Sequence, residues 1–154
     1  MFKVQISKNG SAPFKFKVSA DKLDLNDDSD ESSFEGNVEV DGKITDGGKL
    51  FDVEGTIKYR KSFICDRCLN PSSEDLVIEF NEELDKSNIE GDIADLTEMI
   101  RDTLIASQPI QNLCKEDCKG LCPVCGKNLN EGECNCDRFV ADPRLEALKN
   151  LLVD

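Results

Sequence analysis

The chain of 154 residues contains no histidine and no tryptophan. Without histidine it has no general base of the usual kind near neutral pH, no Ser–His or Cys–His catalytic pair, and no mixed Cys/His zinc site. The lack of tryptophan, together with a hydrophobic content of 38%, implies a modest core. These absences exclude the usual histidine-based catalytic sites and predict metal sites that are built mainly from thiolates.

Basic residues are scarce relative to acidic ones. The 19 Lys and Arg residues are outnumbered by 32 Asp and Glu residues, which gives a formal net charge of −13. Such a charge favours solubility and repels phosphate backbones and anionic lipid surfaces. Broad, sequence-independent nucleic-acid binding needs clustered bases. We therefore expect neither DNA nor a membrane as a partner.

Long hydrophobic runs are also missing. No stretch approaches the length needed to cross a membrane, and the first ten residues, MFKVQISKNG, contain neither an apolar signal core nor a cleavage signal. We therefore expect a cytoplasmic protein. Because disulfides are rare in a reducing cytoplasm, the eight cysteines of the chain indicate metal or redox chemistry.

Six of these cysteines lie in one stretch, which reads CKEDCKGLCPVCGKNLNEGECNC from Cys114 to Cys136. The stretch has neither a helical nor a strand period, so its order must come from something other than a local apolar core. Closely spaced thiolates are what a closed tetrahedral zinc site requires. The other two cysteines, Cys65 and Cys68, form an upstream CDRC motif, a turn that lets both sulfur atoms approach one ion.

Eight cysteines can form two sites of four ligands, and we predict one or two bound zinc ions. The predicted groups are Cys65, Cys68, Cys114 and Cys118, and separately Cys122, Cys125, Cys134 and Cys136. A single site with several free cysteines is the main alternative to this grouping. The same thiolates also suit an iron–sulfur cluster, a redox pair at Cys65 and Cys68, or disulfides and unligated thiols.

Alternating apolar residues predict strands in the first half of the chain. Residues 2–18 read as two short strands joined by a turn, and further strands are predicted at 38–44, 51–59 and 76–80. The acidic segment 24–35 is typical of a solvated loop. Because the CDRC motif falls between the last two strands, we expect it near the tip of a β-hairpin.

Two helices are predicted in the second half. The first runs from about Ile93 to Ala106, with Asp92 as its N-cap and Pro109 forbidding continuation. The second is a short C-terminal helix over 141–154, opened by Asp142-Pro143. The predicted fold is α+β, with an antiparallel β-sheet of about five to six strands and a packed helix.

The predicted layout is one compact domain with three parts. Residues 1–110 form the α+β body with the CxxC hairpin tip, residues 111–140 form the cysteine-rich metal-binding loop, and residues 141–154 form the terminal helix.

Seven bases surround the cysteine motifs despite the acidic average. If the two cysteine groups meet in space, these bases can share one face, and they are candidates for an RNA contact. The set consists of Lys58, Arg60, Lys61, Arg67, Lys115, Lys119 and Lys127.

The order of motifs after residue 60 is specific enough to suggest a family. It includes Ile64-Cys-Asp-Arg-Cys68 after a strand, and Asp95-Leu-x-x-Met-Ile-Arg-Asp before the cysteine stretch. The stretch itself reads Cys114-x3-Cys118-Lys-Gly-Leu-Cys122-Pro-Val-Cys125-Gly-x-Asn128-Leu-Asn130, followed by Cys134-x-Cys136 and Asp142-Pro-Arg-Leu-x-x-Leu148. This pattern resembles the large ribosomal RNA subunit accumulation protein family, YceD.

The resemblance implies a non-enzymatic factor that supports accumulation or processing of large-subunit ribosomal RNA by binding RNA, a ribosomal protein, or both. Two alternatives stay open: a thiol–disulfide redox protein using Cys65 and Cys68, and an acidic escort for a basic ribosomal protein. On the first hypothesis, the metal loop fixes the hairpin tip and presents the neighbouring bases to RNA.

Overall fold

The computed structural model describes residues 1–7, 10–25 and 32–137. The predicted C-terminal helix over 141–154 and the middle of the acidic segment 24–35 lie outside the described residues. The division of the chain into three parts therefore stays a prediction.

The described residues form two antiparallel sheets, with strands numbered in chain order. The small sheet has the order β1-β7-β6 and the large sheet has the order β2-β3-β4-β5. The strands are β1 (Lys3–Gln5), β2 (Ser11–Ser19), β3 (Ser32–Asp46), β4 (Leu50–Ile64), β5 (Pro71–Asp85), β6 (Ile89–Glu90) and β7 (Ile93–Asp95).

This architecture corrects the prediction of a single sheet with five to six strands. Residues 2–18 do not form a hairpin, because β1 pairs with β7 whereas β2 pairs with β3. An alternating pattern identifies the buried face of a strand but does not identify its partner. The α+β class and the antiparallel pairing are as predicted.

The long hairpin formed by β4 and β5 is the element that positions the cysteines. Along β4 most of the inward positions are buried, whereas the positions that alternate with them are exposed or half-buried; the buried residues are Phe51, Val53, Ile57, Tyr59, Lys61 and Phe63. This alternation is what a strand with one face on a core requires. β4 pairs with β5 along its whole length, from Leu50 opposite Asp85 to Ile64 opposite Pro71. The first CxxC motif therefore lies where the hairpin reverses.

The helix α1 (Thr97–Ala106) begins later than predicted. Ile93 belongs to β7 and is 45% exposed, and Asp92 does not cap the helix. The carboxylate of Asp95 instead accepts a hydrogen bond from the Thr97 N–H at 3.0 Å. The backbone of 93–95 is used for pairing with β1, so the helix can start only after that strand ends.

The apolar stripe of α1 packs into the main core. Leu96, Ile100 and Leu104 are fully buried in the cluster that also contains the inward side chains of the large sheet. The stripe is therefore explained by packing, as the sequence predicts. Within the described ranges, no helix is long and apolar enough to cross a membrane.

Candidate metal centre

The two CxxC motifs form turns with the same backbone hydrogen bonds. In the first turn, Leu69 N–H donates to Cys65 O at 2.8 Å and Cys65 N–H donates to Asn70 O at 3.0 Å. In the second, Gly126 N–H donates to Cys122 O and Cys122 N–H donates to Lys127 O, both at 2.8 Å. The equivalence shows that Cys65–Cys68 and Cys122–Cys125 are two copies of one knuckle.

The residue that follows each knuckle has a left-handed backbone. Gly126 has φ of 72°, a conformation that glycine adopts without penalty, whereas Leu69 has φ of 57° in the equivalent position. A side chain with a Cβ atom is strained in this region. Leu69 is also 60% exposed, so the burial of its side chain offsets little of the backbone strain.

Replacing Leu69 with glycine is therefore expected to stabilise the protein by about 0.5–1 kcal/mol, after allowing for the greater freedom of glycine in the unfolded chain. Chemical denaturation of the metal-loaded protein measures this change. Leu69→Ala is the control, because alanine keeps the strain and should give no gain. A loss of stability in Leu69→Gly would show that the leucine side chain makes a contact that outweighs its backbone strain.

The first group of sulfur atoms joins the hairpin tip to the cysteine-rich stretch. It consists of Cys65, Cys68, Cys114 and Cys118, whose sulfur atoms all lie within 4.8 Å of one another. The Cys65–Cys118 sulfur distance is 3.8 Å and the Cys68–Cys114 distance is 3.7 Å. In a tetrahedron with the usual Zn–S distance of about 2.3 Å, sulfur atoms lie about 3.8 Å apart. The spacing therefore fits one tetrahedral ion.

The second group lies entirely within the cysteine-rich stretch. Its members are Cys122, Cys125, Cys134 and Cys136, and their sulfur atoms also lie within 4.8 Å of one another. Cys122 is buried, whereas the other three are exposed or half-buried. None of the eight cysteines, all of which are described, forms a disulfide. The structure thus brings together the two groups of four that the spacing suggests.

The thiols within each group differ strongly in pKa. Burial opposes ionisation of Cys65, yet donation from the N–H groups of Cys114, Cys68 and Arg67 lowers the pKa of Cys65 to about 6. Burial and the neighbouring sulfur atoms raise the pKa of Cys114 to about 12. In the second group, N–H donation from Cys125 and Val124 lowers the pKa of Cys122 to about 6. Four adjacent thiolates repel one another, so full ionisation of a group requires a cation.

The segment before Cys114 is hydrogen-bonded to the hairpin tip through Asn112. Its N–H donates to Asp66 Oδ2 at 2.7 Å, and its carbonyl accepts from the Asp66 N–H at 2.9 Å. The Asn112 side chain accepts a further bond from Lys61 Nζ at 2.8 Å. Asn112 therefore attaches the cysteine-rich stretch to both the knuckle and β4.

A second set of contacts connects the knuckle with the stretch after Cys118. Arg67 Nη1 donates to Cys118 O at 3.2 Å, and Leu121 N–H donates to Arg67 O at 3.0 Å. Gly120 is required here, because a Cβ atom at its φ of 71° would be strained and would lie 3.0 Å from Arg67 O. The side chain of Arg67 is thus used to hold the stretch in place.

Asn130 supports a ligand of the first sulfur group. Its side-chain N–H donates to Cys118 Sγ at 3.4 Å, while its Oδ1 accepts from the Lys119 N–H at 3.0 Å. Burial opposes ionisation of Cys118, but this amide and the Gly120 N–H lower the pKa of that thiol. A residue that lies in sequence between two ligands of the second group, Cys125 and Cys134, thus supports a ligand of the first.

The bases predicted to contact RNA occupy different environments. Lys58 and Arg60 lie on the exposed face of β4, with Arg60 Nε 3.9 Å from Asp75 Oδ1. Lys115, Lys119 and Lys127 are exposed in the cysteine-rich stretch. Of these, Lys115 lies 3.8 Å from Asp117, and Lys127 donates to Glu133 O at 3.0 Å.

Lys61 differs from the other six bases because its side chain is only 1% exposed. It cannot present its ammonium group on the same face as Lys58 and Arg60, since neighbouring residues of a strand point to opposite sides. The burial of Lys61 could have been predicted from the sequence, because Lys61 continues the inward-facing series of Ile57 and Tyr59. The roles of Asn112 and Asn130 had no comparable signal, since each depends on contacts distant in sequence.

Comparison with known proteins finds a similarity to one family over the second half of the chain. Residues 78–152 match the family model described as Large ribosomal RNA subunit accumulation protein YceD. An Arabidopsis thaliana protein named Large ribosomal RNA subunit accumulation protein YCED homolog 1, chloroplastic, is 39% identical over 57 residues. This match covers 37% of the present chain and 18% of that relative's length. No solved structure matches the chain. The similarity to the YceD family thus covers slightly less than half of the chain, in a region that begins within β5 and includes α1 and the cysteine-rich stretch.

Proposed function

We propose that this protein is a non-catalytic factor that supports the accumulation of large-subunit ribosomal RNA by binding, and that two zinc ions hold its binding surface in shape. The similarity to the YceD family supports the first part of the proposal. The observation that carries the second is the pair of four-sulfur groups with tetrahedral spacing. The chain has no histidine to act as a base beside either group.

Zinc fits the spacing of these sulfur atoms better than an iron–sulfur cluster or disulfides do. An iron–sulfur cluster places several atoms between its thiolate ligands, which separates them more widely than a single ion does. A sulfur–sulfur distance of 3.7 or 3.8 Å is also far longer than the bond of about 2.05 Å in a disulfide. Bound zinc would supply positive charge to each group and would fix the relative positions of the knuckles.

Metal affinity is expected to fall as the pH is lowered. Zinc binds thiolates, and near neutral pH it must displace the protons of Cys114 and Cys136, whose pKa values are both raised to about 12. Each displaced proton changes the apparent dissociation constant about tenfold per pH unit. Below about pH 6, Cys65 and Cys122 also become protonated, so the affinity for zinc should fall more steeply with pH.

Competition with a chromophoric zinc chelator, repeated from pH 8 to pH 5, measures this dependence. Affinity should weaken continuously toward acid. Zinc retention that does not change over this range would show that the metal is not held by these thiolates.

The proposed RNA contact lies around the first knuckle. Arg60 and Lys119 are exposed, and the hydrogen bonds of Asn112 and Arg67 attach the stretch bearing Lys119 to the hairpin bearing Arg60. Contacts between such bases and phosphates are weakened by salt, because binding releases counterions. Lys61 has no place in this surface, since it is buried.

Binding to transcribed large-subunit ribosomal RNA tests this contact. Charge reversal in the double variant Arg60→Glu/Lys119→Glu is expected to weaken binding at least tenfold and to reduce its salt dependence. Lys22→Glu is the control for the effect of one charge reversal away from the knuckle, because it makes the same kind of change at an exposed site in the 3₁₀ segment Ala20–Leu23. Equal effects of the two variants, or none, would argue against the contact.

A thiol–disulfide function at Cys65 and Cys68 is not favoured. Cys65 is fully buried, and both sulfur atoms are shared with Cys114 and Cys118 in one group. A reactive thiol needs an accessible thiolate. Absence of dithiol turnover in the metal-free protein would remove this alternative.

A further inference from the structure

We propose that the open edge of β5 binds an extended, basic polypeptide segment as an additional strand of the large sheet. The inference rests on the proposed function only in treating the protein as a binding factor. The β5 strand itself contains none of the eight cysteines and none of the candidate RNA contacts, although Cys114 also lines the groove beside its tip end. The inference can therefore be tested on the zinc-loaded protein separately from the RNA contact.

The main observation is a long strand that is paired on one side. β5 is the last strand of the large sheet, and in the described part of the chain it pairs with β4 alone over residues 71–85. The N–H and C=O groups that point away from β4 can therefore pair with another extended chain. A strand of 15 residues offers a correspondingly long row of such groups.

The two edges of the large sheet differ in how they are protected. At the opposite edge, the nine-residue β2 contains Pro13 in its interior and the bases Lys15 and Lys17. Proline and lysine are residues that natural edge strands use to prevent pairing with other chains. β5 has proline only at its first position, Pro71, and contains no lysine. Its edge is therefore open to pairing.

The charge of β5 determines which kind of partner can bind at its edge. The strand contains six acidic residues and no base. Among the described residues, Glu79, Glu82 and Glu83 form no ion pair, and Val77 is 60% exposed between the acids. A second copy of this strand would place acid against acid, and RNA would place phosphate against acid. A segment with alternating Lys or Arg residues has the complementary charge.

A groove beside β5 provides space for the side chains of such a segment. It has a volume of about 770 Å³ and lies between Glu82, Glu83 and Leu84 of β5 and one side of α1 along its whole length. From α1 it receives the acids Glu98 and Asp102. The cation in this groove is the terminal amino group of Met1, which lies 3.9 Å from Asp95. The groove walls are therefore predominantly acidic.

Toward the hairpin tip the same face of β5 becomes apolar. A second groove of about 430 Å³ is lined by Leu76, Ile78 and Leu113, among other residues. A bound strand would therefore place apolar side chains near Leu76 and basic side chains near Glu82 and Glu83. This order of side chains gives the edge a preferred register and direction for its partner.

The probe for this proposal is a ten-residue peptide that alternates lysine and valine, added to the full-length, zinc-loaded protein. A peptide of equal charge with proline in place of valine is the control for simple electrostatic attraction, because it cannot pair as a strand. Fluorescence anisotropy gives the affinities, and amide hydrogen exchange shows which strand is protected.

The lysine–valine peptide should bind at least tenfold more tightly than the proline peptide and should protect amides of β5. The double variant Glu79→Lys/Glu83→Lys should weaken binding at least tenfold. Asp21→Lys, an exposed site beside the opposite edge, should change it less than twofold. Retained peptide binding in a protein that does not bind RNA would support this inference while removing the proposed RNA contact.

Three outcomes would overturn the proposal. The first is equal affinity for both peptides, which would indicate only electrostatic attraction. The second is self-association that is lost in the double variant, which would assign the edge to a second copy. The third is full protection of the β5 edge in the free monomer that is lost when residues 138–154 are removed, which would assign it to the chain's own terminus. That terminus carries three bases and three acids and so lacks the complementary charge.

Discussion

Replacing Cys118 with serine is expected to lower the zinc content from two ions per chain to one and the free energy of unfolding by about 3 kcal/mol or more. Cys118 Sγ lies 3.8 Å from Cys65 Sγ and accepts the side-chain N–H of Asn130, so its loss affects both the first sulfur group and its support. Elemental analysis gives the metal content and denaturation at fixed free zinc gives the stability.

Cys134→Ser is the matched variant, because it removes one ligand from the second group only. It should also leave one zinc ion, but amides at the hairpin tip should keep their protection from hydrogen exchange. In Cys118→Ser, by contrast, the amides of Cys65 and Leu69 should exchange faster. Identical exchange patterns in the two variants would contradict the idea that only the first group ties the stretch to the hairpin.

Replacing Lys61 with alanine is expected to destabilise the protein by about 3 kcal/mol. The change removes a buried aliphatic stem and takes away the ammonium donor that lies 2.8 Å from Asn112 Oδ1. The alanine variant no longer buries a charged group, and this gain offsets part of the loss of stability. Equilibrium denaturation of the zinc-loaded protein measures the difference.

Two further variants separate the loss of packing from the loss of the hydrogen bond and from a general effect of removing a lysine. Lys61→Met restores most of the packing without the donor, and its cost should be about 1–2 kcal/mol. Lys58→Ala, on the exposed face of the same strand, should change the stability by less than about 0.5 kcal/mol. If Lys61→Ala is as mild as Lys58→Ala, Lys61 does not anchor the stretch to β4.

The parts of the fold that were predictable depend on local pattern. The alternation from Phe51 to Tyr59 identified β4, and the position of the CDRC motif between two predicted strands identified the hairpin tip that carries the first knuckle. The start of α1 was not predictable in this way. Ile93 has the right spacing for a helix, but its backbone is used in a strand whose partner, β1, is far away in sequence.

The sulfur groups were predictable because their number and spacing limit the arrangements. A CxxC knuckle supplies two ligands, and eight cysteines then divide into two groups of four. The surrounding contacts were not predictable. Asn112 and Asn130 have no special spacing, and their roles follow from the folded positions of Asp66, Lys61 and Cys118.

The structure also changes the view of where binding takes place. Arg67 donates to Cys118 O, and Lys61 is buried against Asn112, so two of the predicted RNA contacts serve the attachment of the cysteine-rich stretch. The long edge of β5, in contrast, carries Glu79, Glu82 and Glu83, which form no ion pair within the described part of the chain, and a row of backbone groups that β4 leaves unpaired. A factor with bases at the hairpin tip and acids along an edge can bind two kinds of partner on separate surfaces.

The central claim is that two four-thiolate zinc sites hold this protein together, and native mass spectrometry with elemental analysis tests it most directly. The full-length protein, purified without added metal, should carry two zinc ions per chain and no iron. One ion per chain, no ion, or iron in place of zinc would contradict the claim.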